Sequence, residues 1–412
     1  MQQEEALQTR QRRMGRVLVW SNLLSEPLFT VYNFLGFILY KDLGASAFTL
    51  ALMTMLKPIA TILSFYWSSG LRRRGANLKS NALWAGFWMR APFLLCPWIC
   101  DVWFVVAAAV NYMFWYRAGI PAWVEMLKRN LDSGVRERAF SLSSGLAYAE
   151  GVVLSLAVGA LLDHEAQNWK YLLAGSSLIG LLGLALVQRV QVEEDSGESP
   201  EGVSWKELLI SPWRDSLLLM KNRPDFARFQ WGFMICGFGV MLIQPALPLI
   251  AIDRLEVSYL EIAAAVSIAK GLGFALSAPI WARWFGRVCI FRISSVVFLS
   301  VGLFPLLLSL SPFNGLWLYA AYFWYGVGQG GSHLVWNMSG PVFAGKEESS
   351  RYTGVNVALA GLRGAIGPGL GGWLAMIWGP IQVLYVGALF CLYSGFLLLS
   401  KADEKKSLSV NE

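Results

Sequence analysis

Seven ionisable residues stand near the middle of long apolar stretches: Glu26, Lys57, Arg90, Arg117, Glu150, Lys270 and Arg363. A charged side chain at the centre of a hydrocarbon layer costs at least about 2.5–3.5 kcal/mol on insertion scales, so such groups face a cavity or a partner. Five of the seven are cations and two are anions. If both glutamates pair with cations, three positive charges remain, and a buried unpaired cation either loses its proton or attracts an anion. Arginine keeps its proton. The set points to a water-filled central cavity of positive potential that selects an anionic solute. Arg363 and Lys270 are the first candidates for contact, with Lys57, Arg90 and Arg117 behind them. Glu150 and Glu26, the latter followed by Pro27, are candidates for proton coupling or gating. Taken singly, each cation is also explained by a static salt bridge or by capping of carbonyls.

The elements that position these groups repeat. Ala360, Gly364, Pro368 and Gly372 recur every fourth residue, which leaves one stripe of a helix without bulk and lets a neighbouring backbone approach. Ala147, Gly151, Ser155 and Gly159 do the same, and Glu150 lies 213 positions before Arg363. Lys57 and Lys270 are also 213 apart, with Leu63-Ser64 following one and Leu276-Ser277 the other. Phe114-Trp115-Tyr116 with Gly119 matches Phe323-Trp324-Tyr325 with Gly328. Near-constant offsets across three helix pairs indicate two homologous halves.

Composition fixes the class. Hydrophobic residues make up 56% of the 412 and charged residues 15%, against roughly 25% charged in a soluble domain. With a mean hydropathy of +0.48, this is a polytopic membrane protein. A spanning helix needs about 20 apolar residues, and twelve segments qualify: 17–40, 47–69, 80–100, 102–126, 139–162, 169–189, 226–251, 257–281, 288–310, 314–343, 352–378 and 380–400. The formal charge of +7 follows topology and not nucleic-acid binding. Of the 34 Lys and Arg, 26 fall on one side, 3 on the other and 5 inside spans, which places both termini in the cytoplasm.

The expected organisation is a cytoplasmic tail over 1–16, a six-helix bundle over 17–190, a cytoplasmic linker over 191–225, a second bundle over 226–400 and a tail over 401–412. Residues Val192 to Val203 are too charged and turn-rich to pack. Beyond them Trp205, Leu208, Leu209, Pro212, Trp213, Leu217 and Leu218 interleave with Lys206, Glu207, Arg214 and Asp215, as in a broken amphipathic helix on the membrane surface. The first span is expected to be uncleaved, being too long for a signal-peptide core.

Other features carry less. Cys96, Cys100, Cys236, Cys289 and Cys391 lack the spacing of a disulfide framework or zinc site. His333 suits either a proton relay or a packing role, Asp163-His164-Glu165 reads as a solvated turn, and Gly326-x-Gly-x-Gly-Gly lacks the preceding strand of a nucleotide loop. Trp324, Tyr325, Trp336 and Trp115 suit a solute site or helix packing. No metal or cofactor is expected. With two histidines and no clustered carboxylates, an enzyme is not expected either.

Twelve spans in two halves, a long cytoplasmic central loop and short basic loops together resemble the major facilitator superfamily, over nearly the whole chain. The basic loop Ser68-Ser69-Gly70-Leu71-Arg72-Arg73-Arg74-Gly75 is similar to the family's loop after the second span, without its aspartate. Trp281-Ala282-Arg283-Trp284-Phe285-Gly286-Arg287 lacks the aspartate too, so the charge latch of many members has no counterpart here. Gly367-Pro368-Gly369-Leu370-Gly371-Gly372 resembles the Gly-Pro-x-x-Gly-Gly signature of family antiporters, but in the eleventh span and not the fifth, so antiport is not carried over. The resemblance implies an all-α membrane protein of two pseudo-symmetric six-helix bundles. It also implies that the second span meets the eleventh and the fifth meets the eighth, so that Glu150 pairs with Lys270 and Lys57 lies near Arg363.

The expected function is secondary active transport of a small solute, an organic anion, by alternating access. The expected partners are the lipid bilayer and protons or another coupling ion, with the chain a monomer in a bacterial inner membrane. The alternatives are a proton-coupled exporter of amphipathic or cationic compounds, and a transporter-like receptor or scaffold.

Overall fold

The computed structural model describes residues 2–73, 78–165, 167–190, 205–285, 287–345 and 349–410. The expected linker over Val192–Val203 and the loop positions Arg74, Gly75, Gly286 and Lys346 lie outside the described residues. Among those described the chain is helical, as it must be where lipid leaves no other partner for backbone N–H and C=O groups. The helices are α1 (Gln2–Lys41), α2 (Ala47–Arg73), α3 (Leu78–Arg90), α4 (Val102–Asn130), α5 (Ser133–His164), α6 (Asn168–Gln188), α7 (Trp205–Asn222), α8 (Pro224–Ile243), α9 (Ala246–Leu249), α10 (Tyr259–Ala263), α11 (Lys270–Trp284), α12 (Ile290–Ser309), α13 (Leu316–Ala344), α14 (Ser349–Trp378) and α15 (Pro380–Val410). A π-helical turn, Ala264–Ala269, joins α10 to α11 in one continuous rod. Each expected span overlaps a helix, the seventh being broken between Ile243 and Ala246, and seven of the described helices are long and apolar enough to cross a membrane.

Local chemistry sets the ends. Gly44, Gly345 and Gly379 take positive φ of 62°, 55° and 94° just past α1, α13 and α14, where a side chain would be strained. Asp101 caps α4, its carboxylate accepting from the Phe104 N–H at 3.0 Å. The expected third span departs from a plain helix: α3 stops at Arg90 and a 3₁₀ turn, Ala91–Leu95, follows. Pro92 is the cause, since it has no N–H to offer the Trp88 carbonyl. Asn111 of α4 supplies the missing bond, its Nδ2 donating to Trp88 O at 2.7 Å. The surface helix, in contrast, does not break, and α7 continues through Pro212.

The chain divides into two compact units. The first holds residues 1–45, 60–203 and 258–260, and the second holds 46–59, 204–257 and 261–412. Within the first, α1 packs on α5 and α6, and α3 on α4 and α6. Within the second, α8 packs on α14 and α15, and α12 on α13 and α15. These pairings are the same ones shifted by half a chain, and a hydrogen bond marks their register. Asn22 Nδ2 donates to Ser143 Oγ at 2.7 Å between α1 and α5. The Gln230 amide donates to Asn356 Oδ1 between α8 and α14, and Ser143 and Asn356 lie 213 positions apart.

The glycine-rich runs serve packing. The backbones of α11 and α13 meet at Gly326, which abuts the Lys270 carbonyl, and at Gly273, which abuts the Phe323 carbonyl. On α14, Gly367 and Gly371 face α8 at Met241 and Leu242, while Gly364 and Gly372 face Pro58 and Ala51 of α2. A methyl at Gly326 has nowhere to go. Gly326→Ala should therefore lower the melting temperature of the purified protein by the equivalent of about 1–3 kcal/mol. Gly145→Ala, where an added Cβ meets nothing within 4 Å, should leave it unchanged; equal effects would contradict this account of the crossing.

Candidate functional site

The first unit gathers the two glutamates. Glu26 of α1 leans on the small-residue stripe of α5, so that a Cβ at Gly151 would come within 2.6 Å of Glu26 Oε1. Glu150 immediately precedes Gly151 on α5, so the two acids stand at the same α1–α5 contact. Glu150 Oε2 is buried and has no hydrogen-bond partner among the described residues. An acid pair with an open acceptor is suited to hold a proton or a cation.

Arg90 lies in the same neighbourhood with its side chain 3% exposed. Its Nη1 donates to Gly86 O and its Nη2 to Ser25 Oγ, each at 2.7 Å. Ser25 in turn donates to Ser21 O at 2.6 Å. The guanidinium thus ties the end of α3 to the turn of α1 that carries Glu26 and Pro27. It runs over Gly180 of α6, where any side chain would collide with it. Beside it Tyr32 and Tyr112 stack with centroids 4.3 Å apart, and Tyr112 stacks on Tyr116 at 5.9 Å. Ser25, Tyr32 and Tyr112 are not among the sequence candidates; the i, i+4 spacing of Tyr112 and Tyr116 is the available signal. Arg117 stands apart from this group, exposed, with its guanidinium 5.7 Å from the Tyr116 ring.

The second unit holds the remaining cations. Arg363 of α14 reaches across to α8, where its Nη1 donates to Phe233 O at 2.7 Å and its Cζ sits 4.6 Å from the centre of the Phe233 ring. Gly237 makes the room for it. The residue is 8% exposed and its Nε has no acceptor among the described residues. Lys57 is half-buried and is followed by Pro58, whose ring lies against Gly364 next to Arg363. Lys270 opens α11 directly after the π turn and is half-buried. Among the described residues of this unit no carboxylate lies within ion-pair distance of Arg363 or Lys270. His333 is exposed on α13, not packed, with its ring edge-on to Phe274 at 6.3 Å.

One polar cluster lies at the end of α1. Asp163 of α5 accepts from the Tyr259 and Leu260 N–H groups, both at 2.8 Å, and so caps α10. The Tyr259 hydroxyl donates to Asp42 at 2.7 Å, and Lys41 Nζ sits 4.5 Å from the centre of the Tyr259 ring. Sequence reasoning had treated Asp163 as part of a solvated turn.

Comparison with known proteins adds the following. The family model of the Major Facilitator Superfamily matches residues 19–368. Among curated proteins none matches significantly in sequence. Of solved structures, the nucleoside transporter NupG superposes with a TM-score of 0.70 at 14% identity, covering 94% of this chain and 98% of that one. A peptide transporter POT, in complex with alafosfalin, superposes with 0.71 at 13%, covering 95% and 94%. A bacterial homologue of the human lysosomal transporter Spinster superposes with 0.58 at 14%, covering 96% and 95%.

Burial, helped by the nearby Asp163, pushes the Asp42 carboxyl above its ordinary value, against the opposing pull of the Tyr259 hydrogen bond and Lys41. The fold thus favours the protonated acid. This stability is complete below the unfolded carboxyl's value of about 4 and is lost as pH rises through the raised native value. Asp42→Asn should raise the melting temperature relative to the parent at about pH 7.5 and not at about pH 4; a difference independent of pH would contradict this.

Proposed function

The chain belongs to the major facilitator superfamily, an integral multi-pass membrane protein of a transporter fold, and from that premise we propose that it moves a small organic anion by alternating access, coupled to protons. The observation that carries the reading is an inversion of sign between repeats. At one register of the α1–α5 pair stand Glu26 and Glu150; at the same register of the α8–α14 pair stands Arg363, 213 positions after Glu150. A permanently charged, deeply buried guanidinium with an unused N–H supports an anion as its ligand. Lys270 and Lys57 add positive charge in the same unit, and Arg90 and Arg117 are the candidate cations of the other. The unpartnered carboxylate oxygen of Glu150 supports a role in carrying the coupling proton, with Glu26 as its neighbour. The matching folds of a nucleoside and a peptide transporter are consistent with a polar solute.

The protein works as a monomer in a bacterial inner membrane with both termini in the cytoplasm, needing no cofactor or metal. A second reading, a proton-coupled exporter of amphipathic or cationic compounds, draws support from the glutamate pair beside the Tyr32–Tyr112–Tyr116 stack, since acids and aromatic faces attract cations.

A ligand screen separates the two. Ligands that bind the native state raise its melting temperature by mass action. A few related carboxylates or phosphates should stabilise the detergent-purified protein, and Arg363→Gln should remove that response while leaving the unliganded protein folded. A response to cationic amphiphiles alone would sink the anion reading. Glu150→Gln should abolish uptake driven by a pH gradient in liposomes and spare solute exchange; undiminished driven uptake would remove Glu150 from coupling.

A further inference from the structure

Helix α13 has a face that packing does not explain. Between Ala321 and Trp336 only Gln329 and His333 are exposed, and Asn337 continues the same line one turn further on. These three polar residues are spaced by four, so they form one stripe along the helix. The stripe runs beside α11. Gly326, three residues before Gln329, touches the Lys270 carbonyl, and Phe274, four residues after Lys270, meets the His333 ring edge-on at 6.3 Å. Asn337 Nδ2 donates to the His333 carbonyl at 2.7 Å and lies 3.4 Å from His333 Nδ1.

Helix α11 carries an exposed stripe of the composition expected against lipid. Leu272, Leu276 and Ile280 are exposed at the same spacing, 53%, 64% and 64%, and all are apolar. Exposed amide and imidazole groups at the depth of Lys270 are instead expected to face water, because hydrocarbon gives their donors and acceptors no partner. The repeat sharpens the contrast. In α4 the positions matching Gln329 and His333, 209 residues earlier, are Ile120 and Val124, also exposed. The exposed face is therefore common to both halves, and its polarity belongs to the second. A separate feature marks the place: the π turn Ala264–Ala269 ends at Lys270, whose N–H reaches back to Ala265 O. Such turns re-aim the residues that follow them and concentrate at functional sites.

We propose that Gln329, His333 and Asn337 of α13, together with Lys270 and Phe274 of α11, form a wet subsite that takes the oxyanion head, carboxylate or phosphate, of a small solute. The ammonium supplies the charge. The amide and imidazole N–H groups supply neutral donors to the remaining oxygen lone pairs, and the edge of Phe274 closes one side. This rests on the anion reading above and assigns it residues that the buried arginine does not need.

The test uses charged thiol reagents and needs no identified solute. Gln329→Cys and His333→Cys are made separately in the full chain with the exposed Cys100 and Cys289 replaced by serine, and Leu276→Cys serves as the lipid-facing control. Each is treated with an anionic sulfonate-bearing or a cationic trimethylammonium-bearing methanethiosulfonate. Both new thiols on α13 should react while that at 276 does not, and the anionic reagent should be faster than the cationic one by about tenfold, as in a cleft lined by one sign of charge. Lys270→Gln should erase the preference without blocking the reaction. If neither thiol reacts, the wet face is wrong. If they react with no charge preference, or with one that survives Lys270→Gln, the oxyanion subsite is wrong, while the role of Arg363 still rests on its own ligand screen. Two labelled positions guard against one variant failing to fold.

Discussion

A charge cannot be left unsolvated in hydrocarbon, and much of this protein's packing answers that constraint. Arg90 and Arg363 reach backbone carbonyls because glycines clear their paths: Gly86 and Gly180 for one, Gly237 for the other. Glu26 lies on Gly151 for the same reason. The glycines thus clear the space that these ionisable side chains occupy. The same residue type also brings backbones together, as at Gly273 and Gly326, where α11 and α13 cross beside Lys270. Loss of bulk in one helix is what lets its neighbour carry a charge.

The two units use one plan with different chemistry. The pairs α1–α5 and α8–α14 share a polar contact at the same register, Asn22 with Ser143 and Gln230 with Asn356. One to two turns further along, the first pair holds carboxylates and the second a guanidinium. The exposed face of the fourth helix in each half diverges likewise, apolar at Ile120 and Val124 and polar at Gln329 and His333. A duplicated scaffold needs no such divergence for stability. It is the outcome that the proposed function calls for, with one half handling the coupling ion and the other the solute.

Much of the helical architecture was legible in the sequence, because apolar length and small-residue spacing are imposed directly by the bilayer. The pairing of Glu150 with Arg363 across the repeat was legible for the same reason. Partners were not. Nothing in the sequence says that Arg90 would bond Ser25, since that contact depends on how α1 and α3 are rotated. The turn at Pro92 was readable as a proline, but its repair by Asn111 was not. His333 was ambiguous by type alone; its spacing with Gln329 and Asn337 was visible, but exposure of that stripe became apparent only once α13 had packed against α11 and α12.

The measurement that tests the account most directly is proton movement coupled to anion movement. Purified protein is placed in liposomes carrying a luminal pH dye, and a gradient of a stabilising carboxylate or phosphate is imposed with no initial pH difference. The account predicts a luminal pH change that follows the anion gradient, reverses with it, and is absent for neutral analogues of the same size. Anion flux with no displacement of protons, or proton displacement driven only by cationic compounds, would contradict it.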